Sequence, residues 1–153
     1  MTQAKIMVAR ATLDDVEAAA ALFSEYRHFY GRDRDTQAAA DFLRDRLRLG
    51  ESVVLLARRD DGKVLGFLQL YPGFSSISLA PQWVLNDLYV DEAERRSGVA
   101  GALIDEAEQV AREVGSVALT LETAEDNTGA RELYERRGYL VGGDFLHYAK
   151  TLA

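Results

Sequence analysis

Residues 93–108, AERRSGVAGALIDEAE, place Arg95 and Arg96 ahead of a run of small residues, Ser97, Gly98, Val99, Ala100 and Gly101, which leads directly into a helical pattern. A helix N-terminus leaves its first N–H groups without internal partners and carries the positive end of the helix dipole. Small residues let an anion approach those groups without meeting a side chain, and arginines add charge-assisted bonds. The stretch thus has the make-up of a cradle for a phosphate or diphosphate. A solvated, Arg-rich loop ahead of a tightly packed helix is the other reading these residues leave open. It is not a P-loop, because Gly-Lys-Ser/Thr is missing, and its glycine spacing is not that of the dinucleotide fingerprint.

Other residues also have types and spacing suited to chemistry. Asp87 stands inside the apolar run WVLNDLYV, residues 83–90, where a charge is costly unless it is paired or used. Asn127, Ala130 and Tyr134 are spaced i, i+3 and i+7 and so share one face of a helix. By itself Tyr134 reads as a core aromatic with a satisfied hydroxyl. Tyr26, Phe29 and Tyr30, with Tyr71 and Trp83, are either core or the lining of a cleft. His28 reads as a surface residue and His147 as a structural one. The chain has no cysteine, which excludes disulfides, thiol nucleophiles and cysteine-ligated metals, and its two histidines lie far apart. No metal is expected.

A formal net charge of −7 on 153 residues argues against a sequence-independent nucleic-acid binder, which needs a basic face, while leaving room for a local basic pocket. No apolar run is long enough to span a bilayer and the N-terminus lacks signal-peptide character, so a cytoplasmic protein away from the membrane is expected. Length and a hydrophobic content of 48% suit one domain over residues 1–153 with a substantial core.

The elements that must position these residues follow from periodicity. Residues 5–10 read as a strand. Thr12 can cap a helix whose inward face is Val16, Ala19, Ala20, Phe23, Tyr26 and Tyr30, stopped by Gly31. Asp35-Thr36 opens a second helix that buries Ala39, Phe42, Leu43 and Leu47 and stops at Gly50. Two apolar runs, 53–57 and 63–71, flank Asp61-Gly62 and predict a hairpin. Residues 72–81 read as a loop and 83–90 as a strand. The helix after the arginines carries a stripe of Leu103, Ala107, Val110, Ala111 and Val114 and is capped by Gly115. Residues 117–123 alternate as a strand, 127–137 form a helix ended by Gly138, and 139–141 and 145–151 predict two last strands bent at Gly142-Gly143. The order describes one mixed α/β domain with helices on both sides of a largely antiparallel sheet.

Residues 95–100, RRSGVA, fit the pattern Arg/Gln-x-x-Gly-x-Gly/Ala between the strand LNDLYV and the helix GALIDEAE. Residues 127–139, NTGARELYERRGY, fit Asn-x-x-Ala-x-x-Leu-Tyr-x-x-x-Gly-Tyr/Phe. Together, in this order and spacing, they resemble the GNAT superfamily of acyl-CoA N-acyltransferases. The resemblance covers residues 83–139, and the rest by element order. The strand LNDLYV with Tyr26, Phe29 and Tyr30 is similar to that family's small histone and polyamine acetyltransferase branch.

The resemblance implies a GNAT-like fold with a bulged, splayed central strand, and acetyl-CoA as the acyl donor. It implies that the backbone of Leu88, Tyr89 and Val90 meets the acetyl group and pantetheine arm, and that Arg95, Arg96, Ser97, Gly98, Val99, Ala100 and Gly101 hold the pyrophosphate. Asn127 bonds the pantetheine, Ala130 leaves room for it, Arg131 touches the nucleotide end, and Tyr134 gives its phenolic proton to the departing sulfur.

The base is open at this level: Asp87, Glu25 through water, or Glu122. Asp87 equally suits tying the bulge to a neighbouring backbone N–H. Some relatives carry Glu where this chain has Asn86, which takes no proton at neutral pH. Acceptor selection falls to the first two helices and the loop before the bulged strand, here Glu25, Tyr26, Phe29, Tyr30 and Tyr71. Aromatics and an acidic chain suit a cationic amine.

The expected activity is acetyl transfer to a primary amine (a small amine, a polyamine or a lysine-like side chain) by direct attack in a ternary complex. Its rivals are a non-catalytic acyl-CoA sensor on the same scaffold and a nucleotide-phosphate binder unrelated to coenzyme A. The expected partners are a small-molecule or peptide amine and, through exposed late strand edges, a second copy of the chain.

Overall fold

In the computed structural model, which describes residues 5–153, Gly62 at φ 88° turns the chain after Asp60-Asp61 and brings two strands into register. These are β2 (Val53–Arg59) and β3 (Val64–Tyr71), antiparallel as the Asp-Gly signal predicts. Before them come β1 (Ile6–Arg10), a 3-10 turn (Leu13–Asp15), and the helices α1 (Val16–Phe29) and α2 (Thr36–Arg48). Thr12 caps the 3-10 turn in a capping box with Asp15, and Asp35 caps α2 by accepting from the Ala38 N–H. After β3 the expected loop carries a small hairpin of β4 (Phe74–Ser75) and β5 (Ala80–Pro81). Then come β6 (Trp83–Val90), a 3-10 turn (Glu92–Glu94), α3 (Val99–Glu113), β7 (Leu119–Thr120) and α4 (Thr128–Arg136).

The main sheet has the order β1-β2-β3-β6-β7, antiparallel except for the parallel pair β6 and β7. On one face α1 and α2 bury Val16, Ala19, Ala20, Phe23, Ala40 and Leu43 against Val54, Leu56 and Phe67. On the other, α3 buries Val99, Leu103, Ile104 and Ala107. Its first turn meets β3 at Gly66, where an added Cβ would lie 3.0 Å from Val99 Cγ1 and 3.1 Å from the Tyr89 carbonyl oxygen. No helix among the described residues is long and apolar enough to cross a membrane.

Two irregularities shape β6. Gln69 pairs with Asp87 and Leu70 pairs with Leu85, so Asn86 is the extra residue of a bulge. The strand expected over 117–123 is shorter: β7 pairs only Leu119 with Trp83 and Thr120 with Val84. Ser116 holds that junction, its Oγ accepting from the Trp83 N–H at 2.9 Å and donating to the Ala118 carbonyl at 2.7 Å. β7 pairs with β6 only at Trp83 and Val84, and the central strand is bulged as the family resemblance implies.

The chain divides into two compact units, one ending at Leu121 and one running from Glu122 to Ala153. In the second, Asn127 caps α4 by accepting from the Ala130 N–H, and Gly138 at φ 91° closes it, with the Tyr139 N–H donating to the Tyr134 carbonyl at 3.0 Å. The strands expected at 139–141 and 145–151 do not form. Gly142 and Gly143 sit at φ 107° and 131°, outside strand geometry, and Leu140, Phe145 and Tyr148 are exposed. Alternating polarity marks which side chains a strand would bury, but it does not provide the partner whose N–H and C=O groups complete a ladder.

Candidate active site

The edge of β6 away from β3 has a defined polarity. The Asp91 N–H donates to the Leu65 carbonyl at 2.8 Å, which continues the β3–β6 register. Mutually bonded residues alternate with outward-facing ones along an antiparallel pair. Phe67–Tyr89 and Gln69–Asp87 are therefore the bonded pairs, while Leu88 and Val90 direct their N–H and C=O groups away from β3. The Arg95 Nε, donating to the Val90 carbonyl at 3.3 Å, agrees with this. Of the three backbone positions expected to meet a pantetheine arm, Leu88 and Val90 offer main-chain groups to that edge. Tyr89 spends its main chain on the ladder, and its ring lies under the Arg95 guanidinium, 5.4 Å from it.

The edge runs on into the arginine loop. Gly98 is the N-cap residue of α3, at φ 86°, and no side chain caps the helix there. A Cβ at Gly98 would meet nothing within 4 Å, so glycine is required by conformation and leaves open space in front of the helix. The Ala102 N–H bonds back to the Gly98 carbonyl, and the N–H groups of Val99, Ala100 and Gly101 precede that first helical bond. Arg96 is exposed, lies in the left-handed region at φ 65°, and makes no hydrogen bond or ion pair among the described residues. Ser97 Oγ donates to the Glu94 carbonyl. Arg59 and Lys63 from the β2–β3 hairpin each reach Glu94 Oε1 at 3.2 Å, neutralising the acid nearest the loop. These groups fit a diphosphate: the positive end of a helix dipole with no side-chain cap, open space at Gly98, and an exposed Arg96 without a partner among the described residues.

On the α1/α2 face beside the bulge lies a polar cluster. Asp87 is buried; its Oδ2 accepts from Gln69 Nε2 at 2.7 Å and its Oδ1 from Asn86 Nδ2 at 3.1 Å. The Tyr26 hydroxyl lies 3.4 Å from the Asn86 carbonyl and also bonds Asp87. Burial pushes the Asp87 carboxyl above its usual range, against the opposing pull of the bonds from Gln69, Asn86 and Tyr26. Tyr71, pushed up to about 12 by burial and then by the Asp87 charge, stays a phenol at neutral pH. Asp87 is thus tied by side-chain amides rather than by a backbone N–H.

The other expected acceptor residues divide. Tyr26 packs edge-on to Phe67, at 6.1 Å, and to Tyr30, at 5.1 Å, and joins the cluster. Phe29 and Tyr30 are exposed at the end of α1. Glu25 is held in a two-pronged pair with Arg34, at 2.8 and 3.3 Å, which lowers its carboxyl pKa and weakens it as a base. Glu122 lies 3.9 Å from His147, both exposed. Sequence reasoning missed Gln69 and Arg34. Gln69 left a trace, a lone polar residue in the apolar run LGFLQLY, whereas Arg34 sits among charges and left none.

In the second unit, Asn127 and Ala130 lie on the first turn of α4, and Tyr134 is buried with its ring 5.8 Å from Tyr139. Arg131 donates to the Glu125 carbonyl at 3.0 Å.

A bulged strand leading into a helix terminus with no side-chain cap suits an extended, phosphate-bearing carrier, and comparison with known proteins identifies the family. The profile of the Acetyltransferase (GNAT) family matches residues 19–139 and so runs through both units. The chain is 43% identical over 141 residues to an uncharacterized N-acetyltransferase, YhfO, of Bacillus subtilis (strain 168), covering 92% of this chain and 94% of that one. It is 31% identical over 112 residues to a protein of Haemophilus influenzae named a probable acetyltransferase, covering 73% and 77%. A crystal structure of a probable acetyltransferase superposes with a TM-score of 0.91 at 41% identity, over 96% of this chain and 98% of that one. A ribosomal-protein-alanine N-acetyltransferase from Brucella melitensis biovar Abortus 2308 shares the fold, with a TM-score of 0.82 at 24% identity over 97% and 100%. The chain belongs to the GNAT family of acetyltransferases and is an N-acetyltransferase, a family that generally draws its acetyl group from acetyl-CoA.

Proposed function

We propose that this enzyme transfers acetyl from acetyl-CoA to a primary amine by direct attack within a ternary complex. What supports the reading is the outward-directed main chain of Leu88 and Val90, which leads into the N-terminus of α3 with no side-chain cap and passes buried Asp87 on the way. When bound, acetyl-CoA supplies the activated acetyl thioester. Arg96 and the N–H groups of residues 98–101 would hold the diphosphate, with Arg95 bridging to the Val90 carbonyl. The outward main-chain groups of Leu88 and Val90 would bond the pantetheine amides as an added strand would.

An alkylammonium has a pKa near 10.4 and must lose a proton before its nitrogen can attack. Asp87 is the residue we assign to accept it, within reach of Tyr26 and Tyr71, whose rings help to enclose the amine. Tyr134 is assigned to protonate the departing sulfur, and Asn127 to bond the pantetheine. The exposed pair of Glu25 and Arg34 and the rings of Phe29 and Tyr30 would face the rest of the acceptor. We place the protein in the cytoplasm.

The test is calorimetry with acetyl-CoA followed by an amine panel read by free-thiol release. Binding at tens of micromolar or tighter, with amine-dependent thiol release, is expected. No binding would sink the reading. Binding without release across a broad panel would turn the protein into an acyl-CoA sensor.

A further inference from the structure

Gln69 is fully buried in β3, yet only one end of its amide is used. Nε2 donates to Asp87 Oδ2 at 2.7 Å, while Oε1 is buried with no hydrogen-bond partner among the described residues. A buried carbonyl without a donor is costly, and swapping Gln for an apolar side chain would remove that cost. The arrangement makes sense for a neighbour that exists in two protonation states. The carboxylate form of Asp87 needs donors and has them in Gln69, Asn86 and Tyr26. The acid form has an O–H to donate and needs an acceptor. Half a turn of the Gln69 amide brings Oε1 to where Nε2 stands.

We propose that Gln69 is a positioning residue that follows the charge of Asp87, its NH2 group bonding the carboxylate and its carbonyl, after the amide rotates, bonding the acid. This rests on the reading of Asp87 as the proton acceptor. The step balances simply. An amine N–H bond breaks, an O–H bond forms on Asp87, and the carboxylate charge is cancelled. The proton later leaves to water, and nothing is oxidised or reduced.

The groups facing Asp87 are Gln69 and Tyr71 from β3, Tyr26 from α1 and its neighbour Asn86 on β6. From α2, Arg46 acts on Tyr71 and at one remove from the carboxyl. Tyr26 and Tyr71 are only partly buried, so water can serve their hydroxyls in either state of Asp87, and Tyr71 stays a phenol at neutral pH. Asn86 sits on the exposed side of the bulge, where water can satisfy its amide in either state. Gln69 alone among them is walled off from water.

The test uses the whole chain and two readouts, the first of which needs no substrate. In the wild type, the side-chain amide resonances of Gln69 and the 13C carboxyl resonance of Asp87 are followed across pH by NMR. The two are expected to titrate with one midpoint. A Gln69 amide that stays constant while Asp87 titrates would overturn the proposal. In Gln69→Met, which keeps length and loses both polar ends, the Asp87 midpoint should move to higher pH by about one unit, the amount by which a hydrogen bond to the carboxylate exceeds one to the neutral acid. The acid limb of the kcat/KM profile should move with it. An unmoved midpoint in Gln69→Met would also overturn the proposal. So would a midpoint that moves while the acid limb stays, since the proton would then be taken elsewhere. Because the NMR arms report on the amide and carboxyl without turnover, failure of the coupling is distinguishable from failure of the transferase reading.

Discussion

Asp87, the proposed proton acceptor, is buried at the expense of stability, and the cost is measurable. Burial raises its carboxyl pKa in the fold above the ordinary 3.8. Between those two values the folded chain binds more protons than the unfolded chain, so wild-type stability falls as pH rises through that window. Below 3.8 the carboxyl is protonated in both states and the penalty is absent. Asp87→Asn removes the ionisation, so its melting temperature relative to wild type should climb from acidic to neutral pH while thiol release falls sharply. A flat difference across a Tm series would mean that the buried charge carries no such penalty. Tyr134→Phe isolates the acid role: turnover should drop by about 100-fold or more with acetyl-CoA affinity nearly unchanged. A matched fall in both, read by steady-state kinetics and calorimetry, would make Tyr134 a binding residue instead. At this scale the sequence already exposed Asp87 as an expensive charge and Tyr134 as one face of a patterned helix. It did not expose Gln69 as the partner of Asp87, because the two lie 18 residues apart and meet only through strand register.

At the scale of elements, two glycines shape the start of α3, the proposed cofactor end, for different reasons. Gly66 is small because α3 presses on β3 there, with Val99 Cγ1, the Tyr89 carbonyl and Leu103 Cδ1 all within 3.2 Å of where a Cβ would stand. Gly66→Ala should cost about 1–3 kcal/mol of stability by overpacking, and should weaken acetyl-CoA binding as the helix terminus shifts. Gly98 has open space instead, but at φ 86° its conformation is one a side chain resists. Gly98→Val should cost about 1–2 kcal/mol of strain and also place a branched side chain over the α3 terminus. Gly98→Asn, which tolerates that conformation, should recover stability in denaturant melts without recovering affinity in calorimetry. If Gly98→Asn binds acetyl-CoA as the wild type does, the backbone there does not approach phosphate. The arginine loop and its helix were legible because their signal is local. The shortness of β7 was not, because residues 117–123 alternate like a full strand and only their departure from β6 after Thr120 ends the pairing.

The molecule as a whole carries a net charge of −7, yet its proposed cofactor end gathers Arg95 and Arg96 around a helix terminus, with Glu94 neutralised by Arg59 and Lys63. Such a distribution attracts a cation in general and an anion at one place. For a di- or polyamine acceptor, kcat/KM should fall as ionic strength rises from about 0.01 to 0.15 M, where the screening length shortens from about 30 to 8 Å. A monoamine should respond less, and equal slopes in the two kinetic series would remove long-range attraction from acceptor choice.

What the sequence by itself determined is what depends on neighbours along the chain. The hairpin at Asp61-Gly62, the caps at Thr12, Asp35 and Asn127, the small-residue helix start after two arginines, and the ordered pair of motifs that mark the family all belong here. Tertiary structure alone decided the placement of the bulge at Asn86, the parting of the chain from β6 after Thr120, the pairing of Gln69 with Asp87 and the capture of Glu25 by Arg34. It also decided that residues 139–141 and 145–151 form no strands. The physical reason is the same in each case. Helix caps and turns satisfy backbone groups within a few residues, whereas strands, bulges and buried polar pairs are completed by partners that only the folded chain brings alongside.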